Sequence, residues 1–219
     1  MDSEVTLYHS PNTRSTGVRV LLEELGAPHR LHVLDNRAGQ QREAAYLAIN
    51  PMGKVPALTD GGALVTEQAA IYLHLADRFP EKGLAPAIGD PLRGPYLRWM
   101  VFYGSSFEPA VIDRAMEREP APRAMSAYGD FDTVLATVVS ALTPGPYLLG
   151  DRFTAADVLW GAALGWTTGF KLVPEEPAIM AYVARVQGRP AARKIMADDV
   201  ALAAEHEAAA GGPAPAPDL

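Results

Sequence analysis

Residues 50–58 contain a pair, Val55 and Pro56, that could bind an extended peptide ligand. A proline at the start of a strand has no N–H to give to the ladder, and in the cis form it turns the preceding backbone outward. Val55 could then offer its backbone N–H and C=O to a ligand, as if that ligand were one more strand. The alternative is an ordinary trans proline, because only about 5–6% of X-Pro bonds are cis.

A second group, Thr66, Glu67 and Gln68, stands at the start of a predicted helix. Backbone N–H groups and the helix dipole can hold a carboxylate there, and the Glu67 side chain can hold an ammonium group. The α-amino acid end of a γ-glutamyl ligand needs both. The alternative is that Glu67 only complements the dipole, as acids commonly do in a first turn.

The turn at residues 10–15 is rich in hydrogen-bond donors and precedes a helix. Because the chain contains no cysteine, any sulfur chemistry must use a thiol brought by a ligand. A free thiol has a pKa of about 8.5, and lowering it by one unit requires about 1.4 kcal/mol of preference for the thiolate. Five residues of the turn are possible donors: Ser10, Asn12, Thr13, Arg14 and Ser15. We favour Asn12, Thr13 and Ser15 as catalytic donors, with Arg14 as a charge partner. Each of them could instead cap the helix.

A predicted α/β domain positions these residues. Alternating polarity predicts a strand over 4–9, and apolar residues at helical spacing predict a helix that ends at Gly26. A second strand, parallel to the first, is predicted over 30–34. A short helix over 44–49, strands over 55–59 and 63–65, and a helix over 66–79 capped by Thr66 complete the order βαβ(α)ββα. We expect Tyr8 and His9 to pack at the end of the first strand.

The rest of the chain predicts an all-helical domain. Residues 81–91 are rich in Gly and Pro and lack periodicity, so we place a linker there. Helices are predicted over 92–116, 122–142, 154–166, 177–187 and 190–207, and a flexible tail over 208–219. The predicted fold class is therefore α/β plus all-α.

Composition excludes several kinds of partner. The formal net charge of −7 argues against nucleic acid, which needs clustered Lys and Arg. No apolar run approaches the roughly 20 residues of a membrane span, and the first residues lack the basic start of a signal peptide. We therefore expect a soluble, cytoplasmic protein with no membrane partner.

Three segments, LYHSPNTRSTGVRVLLEELG, YLAINPMGKVPAL and LVTEQAAIYLHLADRFP, resemble the N-terminal domain of the cytosolic glutathione S-transferases. A fourth, FTAADVLWGAAL, resembles the core motif of their helical domain, with Thr154 and Asp157 as a capping-box variant. The resemblance covers about residues 4–207 and is closest to bacterial, theta- or nu-like patterns. It implies a thioredoxin-like glutathione-binding domain over 1–80, the linker over 81–91 and an all-helical domain over 92–207.

The resemblance implies a set of glutathione-binding residues. Val55 would pair through its backbone with the cysteinyl unit, and Pro56 would be the cis proline. Two side chains would hold the γ-glutamyl end, although the family usually has Ser where this chain has Gln. Two more would lie near the glycine carboxylate, although one of them, Lys54, could instead be an ordinary surface charge. These pairs are Glu67 with Gln68, and Gln41 with Lys54.

Classes of this family activate the thiol with Tyr, Ser or Cys in or just after the first strand. In this chain His9 falls near the tyrosine position, Asn12 falls in the serine position, and Arg14 stands where one bacterial class has cysteine. The identity of the activating donor within the turn therefore stays open.

The implied activity is conjugation of the glutathione thiolate to small hydrophobic electrophiles, a detoxification reaction. Tyr103, Phe107 and Ser10 would line the hydrophobic substrate pocket. The alternative for the two aromatic residues is a place in the core or in an interface. Glutathione is the cosubstrate, no metal or other cofactor is implied, and the family implies a homodimer. Two alternatives stay open: a glutathione-dependent disulfide or peroxide reductase, and a non-enzymatic binding protein with the same fold.

Overall fold

The computed structural model describes residues 4–119 and 121–209. The chain forms two compact units. The first is the chain up to Phe79 together with the last helix from Pro190, and the second is Pro80–Arg189. A mixed sheet with helices characterises the first unit and helices build the second, so the predicted fold class is confirmed.

A four-stranded sheet organises the first unit. Its strands are β1 (Val5–His9), β2 (His29–Val33), β3 (Ala57–Asp60) and β4 (Ala63–Val65), in the spatial order β2-β1-β3-β4. β1 runs parallel to β2 and antiparallel to β3, whose Ala57 lies opposite Tyr8. The predicted βαβ unit and the hairpin are therefore both present.

Three helices of this unit form close to the predicted positions: α1 (Ser15–Leu25), α2 (Ala44–Leu47) and α3 (Gln68–Arg78). α1 buries Val18, Leu21 and the neighbouring apolar residues, and it contacts β1 and α3. Gly26 ends α1 at φ 59°, a left-handed conformation that glycine adopts without a steric penalty.

The second unit contains α4 (Arg93–Phe102), α5 (Glu108–Ala115), α6 (Phe131–Leu142), α7 (Ala155–Gly169) and α8 (Pro177–Gln187). The single helix predicted over 92–116 is interrupted by a π-helical turn, Tyr103–Phe107. The helix predicted from 122 begins only at Phe131, because Asp130 caps it by accepting from Thr133 N at 2.7 Å.

The last helix, α9 (Pro190–Ala209), packs against α1 and groups with the first unit. The sequence analysis assigns it instead to the helical domain over 92–207. Its docking rests on Asp199, which accepts hydrogen bonds from Thr16 and Arg19 of α1. The predicted tail over 208–219 lies outside the described residues from 210 onward.

A buried carboxylate fixes the start of α7. One oxygen of Asp157 accepts from Leu148 N at 2.9 Å and from the Tyr182 hydroxyl at 2.9 Å, and the other accepts from Thr154 N at 2.8 Å. The predicted capping box of Thr154 and Asp157 is thus present. Burial raises the pKa of Asp157, although these donors oppose the rise.

Close helix packing accompanies this cap. A side chain at Gly161 of α7 would place its Cβ 2.4 Å from Cγ1 of Val186 on α8, so only glycine allows this approach.

Among the helices that the structure describes, none is long and apolar enough to cross a membrane.

We expect Asp157→Asn to lower the free energy of unfolding by about 2–3 kcal/mol, because the new NH₂ group leaves buried donors without an acceptor. Urea denaturation measures this as a lower midpoint at an unchanged slope. Asp151→Asn, at an exposed position in the preceding segment, is the control and should not move the midpoint. Equal midpoints for the two variants would contradict the structural role of Asp157.

Candidate functional site

The Val55–Pro56 peptide bond is cis, and it lies immediately before β3. Pro56 is buried and Val55 is half-buried. No described residue hydrogen-bonds to the Val55 backbone, which precedes the ladder of β3. Its N–H and C=O can therefore pair with an extended ligand.

The loop before Pro56 is fixed by two residues that the sequence analysis did not assign to the site. The carbonyl of Lys54 accepts from the Tyr46 hydroxyl at 2.6 Å and from Nδ2 of Asn50 at 2.8 Å. Oδ1 of Asn50 in turn accepts from Met52 N at 3.1 Å. Burial raises the pKa of Tyr46 to about 12, so its hydroxyl stays a donor at neutral pH.

Gln41 and Lys54 flank a tight approach at Gly53. A Cβ at Gly53, whose φ is 60°, would lie 3.0 Å from the Gln41 carbonyl oxygen. Nε2 of Gln41 donates to the Asn36 carbonyl at 3.2 Å, and its Oε1 has no hydrogen-bond partner among the described residues. The Lys54 side chain is exposed. Their predicted role near a glycine carboxylate stays a prediction.

Glu67 adopts a strained backbone conformation just before α3, with φ 64° and ψ 116°. Such a conformation costs about 1–3 kcal/mol in a residue other than glycine and concentrates at ligand sites. Glu67 is exposed and occupies the cap position of α3 without a side-chain cap. The prediction that Thr66 caps this helix is therefore wrong, since Glu67 takes the cap position at a positive φ and the helix starts one residue later.

Gln68 links α3 to the turn that follows β1. Its Nε2 donates to the carbonyl of Arg14 at 3.0 Å. The register of β1 and β3, continued by two residues beyond the pair Tyr8 and Ala57, places Ser10 level with Val55. The turn, the cis-proline loop and the start of α3 therefore meet at one end of the sheet.

The predicted catalytic turn is a compact hydroxyl cluster. Oγ of Ser15 lies 2.6 Å from Oγ1 of Thr13 and accepts from Ser10 N at 3.2 Å. Ser15 is fully buried and Thr13 is half-buried, so only Thr13 of these two can touch a ligand. Asn12, at φ 58°, and Arg14 are exposed on the same turn.

Behind this turn lie two buried residues whose function the sequence analysis did not predict. Nδ1 of His9 is 2.8 Å from Oγ of Ser15, and its Nε2 is 3.2 Å from Oδ1 of Asp199. The second contact has the distance of an ion pair without the alignment of a good hydrogen bond. Burial opposes ionisation of Asp199, but His9, Thr16 and Arg19 together hold its pKa below the ordinary value.

The residues predicted to line a hydrophobic pocket are buried. Tyr103 and Phe107 pack on Trp160 in the second unit, with 4% and 1% of their surface exposed. The Tyr103 hydroxyl donates to Glu108 at 2.7 Å. Ser10 belongs to the turn in the first unit and is buried. Their place in a pocket stays a prediction, and this burial leaves them little surface for it.

Comparison with known proteins agrees with this arrangement. Residues 11–78 match the sequence model of the glutathione S-transferase N-terminal domain. Glutathione S-transferase 3 of Schizosaccharomyces pombe is 30% identical, over 70% of this chain and 70% of its own length. Among solved structures, a glutathione transferase from Methylococcus capsulatus is 32% identical with a TM-score of 0.75, covering 90% of this chain and 99% of that one.

A sphingomonad glutathione S-transferase, solved in complex with glutathione, is 31% identical with a TM-score of 0.73, covering 89% of this chain and 98% of that one. The chain therefore belongs to the cytosolic glutathione S-transferase superfamily. It is an enzyme of that family.

Proposed function

We propose that this enzyme conjugates the glutathione thiolate to small hydrophobic electrophiles. The observation that carries the proposal is the meeting of three polar features at one end of the sheet: the unpaired backbone of Val55, the strained Glu67 and the hydroxyl of Thr13. A tripeptide with a γ-glutamyl end and a central thiol has a group for each of them.

Glutathione binds with its cysteinyl unit paired to the Val55 backbone. Glu67 holds the α-ammonium group, while Gln68 and the N-terminus of α3 hold the α-carboxylate. Gln41 and Lys54 lie near the glycine carboxylate. Strain at Glu67 supports this assignment, because a residue is held in such a conformation only where the surroundings over-determine it.

Thr13 is the donor that we place against the sulfur, because it is the accessible end of the hydroxyl cluster. A hydroxyl that donates to the thiolate stabilises it by about 1.5–3 kcal/mol, which lowers the thiol pKa by about one to two units. Asn12 and Arg14, exposed on the same turn, add donors and positive charge. The bound thiolate then attacks an electrophile held next to it.

Glu67→Gly tests the anchoring of glutathione without harming the fold. Glycine adopts φ 64° without strain, so we expect the free energy of unfolding to stay equal or to rise by about 1 kcal/mol. The Kd for glutathione, measured by isothermal titration calorimetry, should rise at least about tenfold, because a charge-assisted contact is lost.

Glu117→Gly is the matched control, since Glu117 also has a positive φ (50°) but lies in the second unit after α5. It also places glycine at a positive φ, and the Kd should be unchanged. An unchanged Kd in Glu67→Gly would remove Glu67 from the binding site.

Thr13→Val tests the chemistry. We expect kcat/KM for a chloronitrobenzene-type electrophile to fall about tenfold or more at neutral pH, and the pKa of bound glutathione, followed by thiolate absorbance, to rise by about one to two units. Thr143→Val removes an exposed helix hydroxyl that donates to the Val139 carbonyl, and should change neither value. Turnover of hydroxyethyl disulfide without turnover of the electrophile would instead favour the reductase alternative.

A further inference from the structure

The hydroxyl cluster of the turn ends in a buried histidine and a buried carboxylate. His9 contacts Ser15 through Nδ1 at 2.8 Å and faces Asp199 through Nε2 at 3.2 Å. The two side chains are 0% and 4% exposed. A hydroxyl, an imidazole and a carboxylate in this order form the arrangement in which an imidazole acts as a base and a carboxylate orients it.

Here the hydroxyl of Ser15 cannot itself attack a substrate, because it is fully buried. It is instead joined to Thr13, at 2.6 Å between the two oxygens. Thr13, at the other end, is half-buried at the surface of the turn. A continuous path of hydrogen bonds therefore runs from the surface through Thr13 and Ser15 to Nδ1 of His9.

We propose that His9 accepts the proton of the glutathione thiol through the Thr13 and Ser15 hydroxyls, and that Asp199 is the positioning residue that orients the imidazole. This inference rests on the proposed function, in which the sulfur of glutathione lies against Thr13. It assigns the thiol proton a destination inside the protein rather than in the solvent.

The hydrogen-bond capacity of each group fits this path. The negative charge of Asp199, 3.2 Å from Nε2, favours the neutral His9 tautomer with its N–H on that nitrogen, which leaves Nδ1 as an acceptor. Ser15 then donates to Nδ1, and its two lone pairs accept from Ser10 N at 3.2 Å and from the Thr13 hydroxyl. Oγ1 of Thr13 accepts from Ser15 N at 3.2 Å and keeps its second lone pair for the incoming S–H group.

The proton moves by three concerted transfers along this path. The S–H bond breaks as the proton binds Oγ1 of Thr13, Thr13 passes its own proton to Oγ of Ser15, and Ser15 passes its proton to Nδ1 of His9. The products are a thiolate and an imidazolium, and both hydroxyls stay neutral. Each hydroxyl now points the opposite way, so that Thr13 donates to the thiolate.

Three charged groups surround the His9 ring. Asp199 of α9 faces the ring, Arg19 of α1 pairs with Asp199, and Asp198 of α9 lies 3.7 Å from Arg19. With a neutral His9 these three groups sum to one negative charge. A protonated His9 brings the cluster to zero.

The carbonyl of Ser10 competes for the same hydroxyl protons. It lies 2.7 Å from Oγ1 of Thr13 and 3.1 Å from Oγ of Ser15. Rotation about the two Cβ–O bonds is enough to switch either hydroxyl between this carbonyl and the path to His9. A thiol donating to Thr13 needs no movement of heavy atoms to complete the path.

Counting protons during binding tests the inference. Isothermal titration calorimetry near pH 7, in buffers with different ionisation enthalpies, gives the protons released when glutathione binds. S-methylglutathione makes the same contacts but has no thiol proton. For the wild-type protein we expect thiolate absorbance with glutathione, and a difference of about zero protons between the two ligands.

Variants identify the residue that accepts the thiol proton. In His9→Gln and in Ser15→Ala we expect the bound thiol to titrate at least about one pH unit higher, and any thiolate that forms to release its proton to the buffer. Asp199→Asn should also raise the pKa of the bound thiol and the number of protons released to the buffer, but by smaller amounts. Glu23→Gln is the control, because it breaks another contact between α1 and α9, with Lys194 at 2.7 Å, and should change neither readout.

Release of nearly one extra proton with glutathione by the wild-type protein, unchanged in Ser15→Ala, would overturn the inference. Absence of glutathione binding or of thiolate absorbance in the wild-type protein would instead overturn the proposed function on which it rests. Urea denaturation of each variant identifies loss of fold. If His9→Gln does not fold, Ser15→Ala decides, because it interrupts the path and leaves the histidine and its carboxylate in place.

Discussion

The carboxylate of Asp199 is buried where β1, α1 and α9 come together. A buried charge is costly unless it is paired and hydrogen-bonded. Thr16 and Arg19 donate to it from α1, and His9 faces it from the end of β1. Because His9 is the last residue of β1 and Ser15 is the first of α1, this one carboxylate holds both ends of the turn between them.

The rest of the site depends on that turn being fixed. β1 pairs with β3, which brings the turn level with the cis-proline loop, and Gln68 bonds the turn to the start of α3. Tyr46 and Asn50 hold the Lys54 carbonyl and so fix the loop from the other side. A ligand that binds at this end of the sheet contacts the backbone of Val55, the carboxylate of Glu67 and the hydroxyl of Thr13. Buried contacts fix the positions of these groups.

Local signals in the sequence predicted most of the first unit. Gly26 ends α1, Pro56 precedes β3 and the hairpin joins β3 to β4, because each of these depends on residues adjacent in the chain. The sequence did not predict the start of α6 or the π-helical turn after α4. The cap at Asp130 and the extra residue in one helical turn change the periodic spacing of apolar residues too little to be recognised. The partnership of His9 with Asp199 joins the two ends of the chain, and no local pattern could predict it.

The nitrogen chemical shifts of the His9 ring test the central claim most directly. In protein labelled with ¹⁵N-histidine, NMR distinguishes the two neutral tautomers from the imidazolium. We predict that His9 is neutral with its proton on Nε2 in the free protein and with S-methylglutathione, and becomes an imidazolium when glutathione binds as the thiolate. A His9 ring that keeps the same neutral tautomer with both ligands, while thiolate absorbance is present, would contradict this account.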